Sequence, residues 1–290
     1  MDTQNDSASQ GRIVNTLHNQ DKVFKESFTL FKGGSLKFLD KEFTGEVTEI
    51  LNTEITETTT KKSFGDNALK LSSNKGIHNE WEVQVREDDM KRFGSMNLDL
   101  SRMHKIDFTT VIITVKKPRI KQYKNSSITF KPKIICLKDR DADKVLAKIN
   151  RKLKAGKHES INELEIIYMP LYGSTSGKST PELLDIAIKL TPKVIKDDKS
   201  KRQKLYDLLI LLTGSFISDE ELNTIMEANM RILEDSPAVR VLEKRGRSQR
   251  EVEIATNMLR RGRSYQEISE DTGLTVDRIT ELDKELKALA

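Results

Sequence analysis

Asn79-Glu80-Trp81-Glu82-Val83-Gln84-Val85 is the stretch whose reading decides the fold. Read as an extended strand, it places Glu80, Glu82 and Gln84 on one face and Trp81, Val83 and Val85 on the other. Upstream, Phe64 to Leu71 also reads as a strand, and Ser72-Ser73-Asn74-Lys75-Gly76 has the residue types of a hairpin turn. Closing that hairpin brings Asp66 near Glu82. Two acids on a small sheet are most often simply solvated, so the surrounding pattern has to decide whether they do more.

Working outward, residues 1–17 are polar and small and read as a disordered tail, with structure beginning near His18. Val23, Phe24, Phe28 and Phe31 fall at helical spacing, with Gly33-Gly34 as the stop. A second amphipathic segment from Leu36 to Leu51 suits another helix, weakened in its middle by Thr44-Gly45. Glu54 to Thr60 reads as a first strand. After the Glu82 strand, Met90, Phe93, Met96 or Asn97, and Leu100 predict a helix whose first turn is acidic, as the helix dipole favours. Thr109–Val115 and Lys133–Leu137 are short β-branched runs apolar enough for burial on both faces. The sum is an α/β domain with a mixed sheet flanked by helices.

From Ala142 onward helices dominate: Ala142–Ala155, an apolar run Leu164–Pro170, a helix opened by Thr180-Pro181-Glu182, then Leu205–Thr213 and Asp219–Leu233. Tyr172-Gly173-Ser174-Thr175-Ser176-Gly177-Lys178-Ser179-Thr180 invites a phosphate-loop reading. The pattern needs four residues between its glycines and has three here, so a plain loop is the expectation. At the C-terminus, Glu251 to Arg261 is a helix ended by Gly262. A capping box Ser264-Tyr265-Gln266-Glu267 opens a short helix, Thr272-Gly273-Leu274 turns, and Thr275 caps a last helix to Leu289. This resembles a helix-turn-helix, but the last helix carries Asp277, Glu281, Asp283 and Glu285, which phosphates repel. Two readings stay open: a packing or homo-oligomerising module, or DNA contact through the basic Arg245 to Arg263.

Composition bounds the rest. Hydrophobic residues make up 36% of the chain and charged residues 33%, which fits a folded protein, and a net charge of +5 accommodates a polyanion partner without demanding one. The single Cys136 sits in an apolar run and reads as a buried inert thiol. The sequence has no apolar run long enough for a membrane span and opens on polar residues, so the cytoplasm and no membrane partner are expected.

A metal-dependent phosphodiesterase needs hard oxygen ligands and a further polar group to position the attacking water. Asp66, Glu82 and Gln84 with the Val83 carbonyl can supply that set. The run Asp21-Lys22-Val23-Phe24-Lys25, then Asp66 opening a strand, then Trp81-Glu82-Val83-Gln84 followed by Asp89-Met90-Lys91-Arg92, resembles the PD-(D/E)XK nuclease superfamily. Within it, the resemblance is to the recombination-promoting nucleases and related transposase-like proteins, which carry Glu-x-Gln in place of Glu-x-Lys. The tail around Glu253 to Gly262 and Ile268 to Leu274 is similar to theirs as well.

The resemblance implies a restriction-endonuclease-like mixed sheet with an all-helical C-terminal region. Its implied divisions are a nuclease-like core over 18–170, a helical extension over 171–242 and a helix-turn-helix-like module over 243–290. It further implies Mg²⁺ as cofactor, held by Asp66, Glu82 and Val83, and double-stranded DNA as substrate. Asp66, Glu82 and Gln84 would be the catalytic set. Asp21 would be the first helix's acid, Arg92 a base near phosphate, and Lys70 a substitute for the missing lysine. The sequence departs from the family at Met96 and Val85, where tyrosine and a small polar residue are expected. The implied activity is endonucleolytic, tied to recombination or mobile elements; the alternative is a catalytically inactive DNA-binding or assembly protein on the same fold.

Overall fold

The computed structural model describes residues 20–40, 42–56, 62–64, 66–233 and 251–288. The expected tail at 1–17 lies outside them. Residues 20–30 form helix α1, and α2 follows at Lys32–Leu39 after a single turn residue, Phe31. Gly33 and Gly34 were expected to stop the first helix and instead lie inside α2. Their role is a close approach: a Cβ on Gly34 would sit 2.3 Å from the Asn162 side-chain oxygen, and Asn162 Nδ2 donates to the Gly34 carbonyl at 3.0 Å.

The expected helix over 36–51 is half helix and half strand. It ends at Leu39, Asp40 is fully extended, Gly45 takes φ +99°, and Val47–Leu51 becomes β1. The β-branched Val47, Thr48 and Ile50 suit that outcome better than a helix. β2 (Glu54–Thr56) pairs antiparallel with β3 (Lys62–Phe64) in a separate small sheet; the rest of the strand expected to reach Thr60 falls outside the described residues.

The main sheet continues through β4 (Asn67–Leu71), β5 (Gly76–Glu82), α3 (Glu87–His104), β6 (Phe108–Thr114), β7 (Tyr123–Lys124), β8 (Thr129–Phe130) and β9 (Lys133–Cys136). Its order is β1-β4-β5-β6-β9, antiparallel on the β1 side and parallel from β5 to β9, while β7 and β8 form a hairpin of their own. The fold is therefore α/β with a mixed five-stranded sheet. Two parallel crossovers are needed: α3 makes the first, and a connection carrying the β7–β8 hairpin makes the second.

Helices cover both faces. On one, Trp81 of β5 meets Phe24 of α1 at 5.8 Å between ring centroids and Tyr168 at 6.0 Å, with Phe28 and Phe38 filling in behind. On the other, Met90, Phe93, Met96 and Leu100 of α3 are buried, as their spacing predicts. They pack against Ile112 and Ala68 of the sheet. At Gly76 the neighbouring strand leaves no room for a side chain, since a Cβ would meet the Phe108 ring at 2.4 Å.

The helical continuation comprises α4 (Ala142–Lys154), α5 (Glu163–Tyr168), α6 (Thr180–Val194), α7 (Lys199–Thr213), α8 (Asp219–Ala228) and α9 (Met230–Leu233). Capping boxes Ser179/Glu182 and Ser218/Glu221 open α6 and α8, each closing two otherwise orphaned N–H groups. These helices belong to the same compact unit as the sheet, which runs to Leu233. The second unit holds α10 (residues 251–260), α11 (Tyr265–Thr272) and α12 (Val276–Ala288), packed around Ala255, Ile268, Ile279 and Leu282. Gly262 and Gly273 both take φ +72°, ending α10 and α11 as expected. On α12, Asp283 accepts from Tyr265 Oη at 2.5 Å and Lys287 at 2.6 Å, while Arg278 pairs with Glu281 and Glu285. Among the described residues no helix is long and apolar enough to cross a membrane.

Candidate functional site

The β4–β5 hairpin sets the site. Its turn puts Asn74 at φ 57° and returns Leu71 N–H to the Lys75 carbonyl at 2.8 Å, which fixes a register pairing Asn67 with Asn79. One step further, Asp66 stands opposite Glu80 rather than Glu82. Asp66 has just left the ladder, and its side chain takes over a ladder bond: Oδ2 accepts from Trp81 N–H at 2.8 Å. Its own N–H donates to Glu80 Oε1 at 3.4 Å, and Lys25 of α1 lies 3.6 Å from Oδ1.

Alternation along β5 puts His78, Glu80 and Glu82 on the α3 face. Glu80 and His78 are essentially sealed from solvent, at 2% and 0% exposure, and His78 Nε2 meets Glu80 Oε1 at 2.5 Å. The chain of bonds runs on. Asn97 Nδ2 donates to Thr110 Oγ1 at 2.9 Å, and Thr110 Oγ1 in turn lies 3.2 Å from His78 Nδ1. A side chain from α3, one from β6 and one from β5 thus hold Glu80 in a single orientation.

Glu82, at the strand's end, is 25% exposed and bound by Arg92 of α3 at 2.8 Å; Arg92 also lies 3.8 Å from Asp89 and stacks on Phe93. Burial holds the Asp66 carboxyl well above its ordinary range, Glu80 and Asp21 push it further up, and the Trp81 N–H and Lys25 pull against them. Burial likewise raises Glu82 from 4.5 to about 7, with Asp89, Glu80 and Asp21 adding to the rise and Arg92 opposing it. Asp66, Glu80, Glu82 and Asp21 therefore share one electrostatic neighbourhood.

Other sequence-predicted residues land less centrally. β5 ends at Glu82, so Gln84 lies half-buried beyond the strand and its alternation. The Val83 carbonyl already accepts from Lys116 N–H at 2.9 Å and Thr114 Oγ1 at 3.1 Å. Lys70 sits at the far end of β4, four residues or roughly 13 Å from Asp66, and pairs with Glu49 of β1. The sequence reading did not count Glu80, His78, Thr110 or Asn97 among the site residues. Counting back from the Ser72–Lys75 turn would have paired Asp66 with Glu80, and the same alternation puts His78 beside it.

Among the described residues no group of three or more His, Cys, Asp or Glu side chains is placed to hold a metal ion. Asp66, Glu80 and Glu82 offer carboxylate oxygens only, the donor type of a hard divalent cation; burial first, and neighbouring acids second, raise Asp66 and Glu82.

The 172–180 loop, whose glycines resemble a phosphate loop, is filled from within. Asp143 of α4 accepts from Ser176 N–H at 3.0 Å, Ser174 Oγ and Ser176 Oγ at 2.7 Å each, and Lys178 Nζ at 2.7 Å. These bonds hold its carboxyl far below the usual range, Lys178 foremost. Compared with family models, curated proteins and solved structures, the chain finds no match.

Proposed function

We propose that this chain is a Mg²⁺-dependent DNA endonuclease of the PD-(D/E)XK, restriction-endonuclease-like type, tied to recombination or mobile elements. One observation carries the reading: the β4–β5 register gathers Asp66, Glu80 and Glu82 at the C-terminal ends of parallel strands β5 and β6, where ligands of α/β sheets bind. Asp66, Glu80 and Glu82 would hold the ion, with Glu80 replacing Val83 in the set expected from sequence. When bound, Mg²⁺ supplies Lewis-acid polarisation of the scissile phosphate and a more acidic water. His78, backed by Thr110 and Asn97, fixes the Glu80 orientation. Arg92 carries a fork of donors suited to a phosphate once it leaves Glu82.

Plasmid nicking in Mg²⁺ or Mn²⁺ tests this directly. The wild type should cut and chelation should stop it. Asp66→Ala and Glu80→Ala should each lower the rate by roughly 100-fold or more, the scale of several kcal/mol of lost transition-state stabilisation. Gln84→Ala should cost less. A wild type that cuts nothing with either ion, or a Glu80→Ala variant that cuts as well, overturns the reading. A specific observation favours the second reading, a non-catalytic DNA-binding or assembly protein on the same fold: Arg92 and His78 already occupy Glu82 and Glu80. Duplex binding with no cleavage at any metal concentration is its signature.

A further inference from the structure

The connection from β6 to β9 is the one parallel crossover without a helix, and its charge is one-sided. Between residues 116 and 131 it carries Lys116, Lys117, Arg119, Lys121, Lys124 and Lys131 and no acidic residue. Those six cations exceed the net excess of the whole chain, +5, so the rest of the protein is close to neutral. All six are exposed, and among the described residues none reaches a carboxylate. Other lysines of the same unit do reach acids: Lys133 meets Asp40 and Glu42 at 2.8 Å each, Lys178 meets Asp143 and Lys201 meets Glu163. Six unpaired like charges on one short segment repel one another and give the fold nothing in return.

The segment is nevertheless held firmly. Ile120, Tyr123 and Phe130 pack onto Val85, Met90, Phe93 and Ile112. Gly94 of α3 lets the helix close on the hairpin, since a Cβ there would stand 3.2 Å from Phe130. Lys91 lies over the Tyr123 ring at 5.7 Å. Ile120, Tyr123 and Phe130 face inward while the cations and Ile128 face outward, around a short hairpin that pairs Tyr123 with Phe130 and Lys124 with Thr129. The segment's first residue, Lys116, hydrogen-bonds through its N–H to the Val83 carbonyl, next to Glu82. A cleft of about 300 Å³ beneath it is lined by Lys117, Lys121 and Lys131, with Asp139 as the acid on its wall.

We propose that this ribbon, residues 116–131, grips the phosphate backbone of a nucleic-acid duplex and leads it to the Asp66–Glu82 cluster; the choice of polyanion rests on the nuclease reading above. A membrane surface is the poorer partner because the ribbon's aromatic and large aliphatic side chains, Ile128 apart, are turned into the core rather than presented for insertion. The contacts are backbone contacts, so they carry no base sequence preference and weaken with salt.

The test is anisotropy of a labelled duplex with the full chain in chelator, so that hydrolysis plays no part. Lys117→Gln, Lys121→Gln, Lys124→Gln and Lys131→Gln combined should weaken binding by about tenfold or more and lower the slope of log affinity against log salt by about 3 to 4. The same four positions as arginine should restore it. Because all four are exposed and repel one another, the melting temperature should not fall, which separates lost contact from lost fold. Unchanged binding and slope overturn the ribbon's role, and if the wild type nicks plasmid the nuclease reading survives that failure. Lost binding in a protein that never cleaves keeps the ribbon and removes the nuclease. Preference for phosphatidylserine vesicles over duplex overturns the nucleic-acid assignment.

Discussion

Asp66 and Glu82 at the head of the β4–β5 hairpin, and Asp143 on α4, are opposite solutions to placing a carboxylate in a fold. Asp143 is surrounded by donors and is pulled down in pKa; its loop is complete as it stands. Asp66 and Glu82 are crowded by burial and by other acids and are pushed up, despite Trp81 N–H, Lys25 and Arg92. The loop that looks in sequence as though it cradles an anion already contains one. The hairpin that looks like an ordinary acidic strand pair holds two carboxyls that burial and neighbouring acids push up.

The largest expected effect is on the brace behind the acids. His78→Ala leaves the buried Glu80 without its 2.5 Å partner and should cost about 3 kcal/mol or more, read as a lowered urea midpoint. A loss under about 1 kcal/mol would mean that the Asn97–Thr110–His78 relay does not hold Glu80.

Next comes Glu82, where the sign follows from its raised pKa. The folded protein retains the Glu82 proton up to about 7, while the unfolded chain releases it near 4.5. The stabilisation is present below the lower value and is lost as pH rises through the upper. Glu82→Gln should therefore be more stable than wild type by about 1–2 kcal/mol above about pH 8, the full shift being discounted for partial exposure and the lost Arg92 pair, with the gap closing below about pH 5. A Glu82→Gln protein that is less stable at high pH would place Glu82 with Asp143, as a satisfied carboxylate. The smallest effect is at Asp143 itself. Asp143→Asn should speed amide hydrogen exchange at Ser176, whose N–H donates to Asp143, while the melting temperature barely changes; unaltered exchange would show the loop held by something other than this carboxylate.

Regular patterns were legible from the sequence, and context-dependent ones were not. The α3 spacing at Met90, Phe93, Met96 and Leu100, the β-branched runs of β6 and β9, and the Ser264/Glu267 capping box all announce themselves locally, and the structure has them. Residues 36–51 did not, because their apolar positions satisfy a helix as well as a strand, and the break at Asp40 and Gly45 is set by pairing with β4. At the site, Asp66 and Glu82 were legible as acids on neighbouring strands of one hairpin. The closer partner Glu80 depended on a turn register, and His78 depended on Thr110 and Asn97 arriving from β6 and α3, which no local pattern encodes.

The most direct test of the central claim, that Asp66, Glu80 and Glu82 form a divalent-cation site, is thermal unfolding against Mg²⁺ or Mn²⁺ concentration at mildly alkaline pH. The wild type should gain stability, approaching about 2.7 kcal/mol at a hundredfold excess over Kd. Asp66→Asn and Glu80→Gln should abolish the gain and Asp143→Asn should keep it. A wild type that ignores both ions, or a Glu80→Gln protein stabilised as much as wild type, would contradict the account.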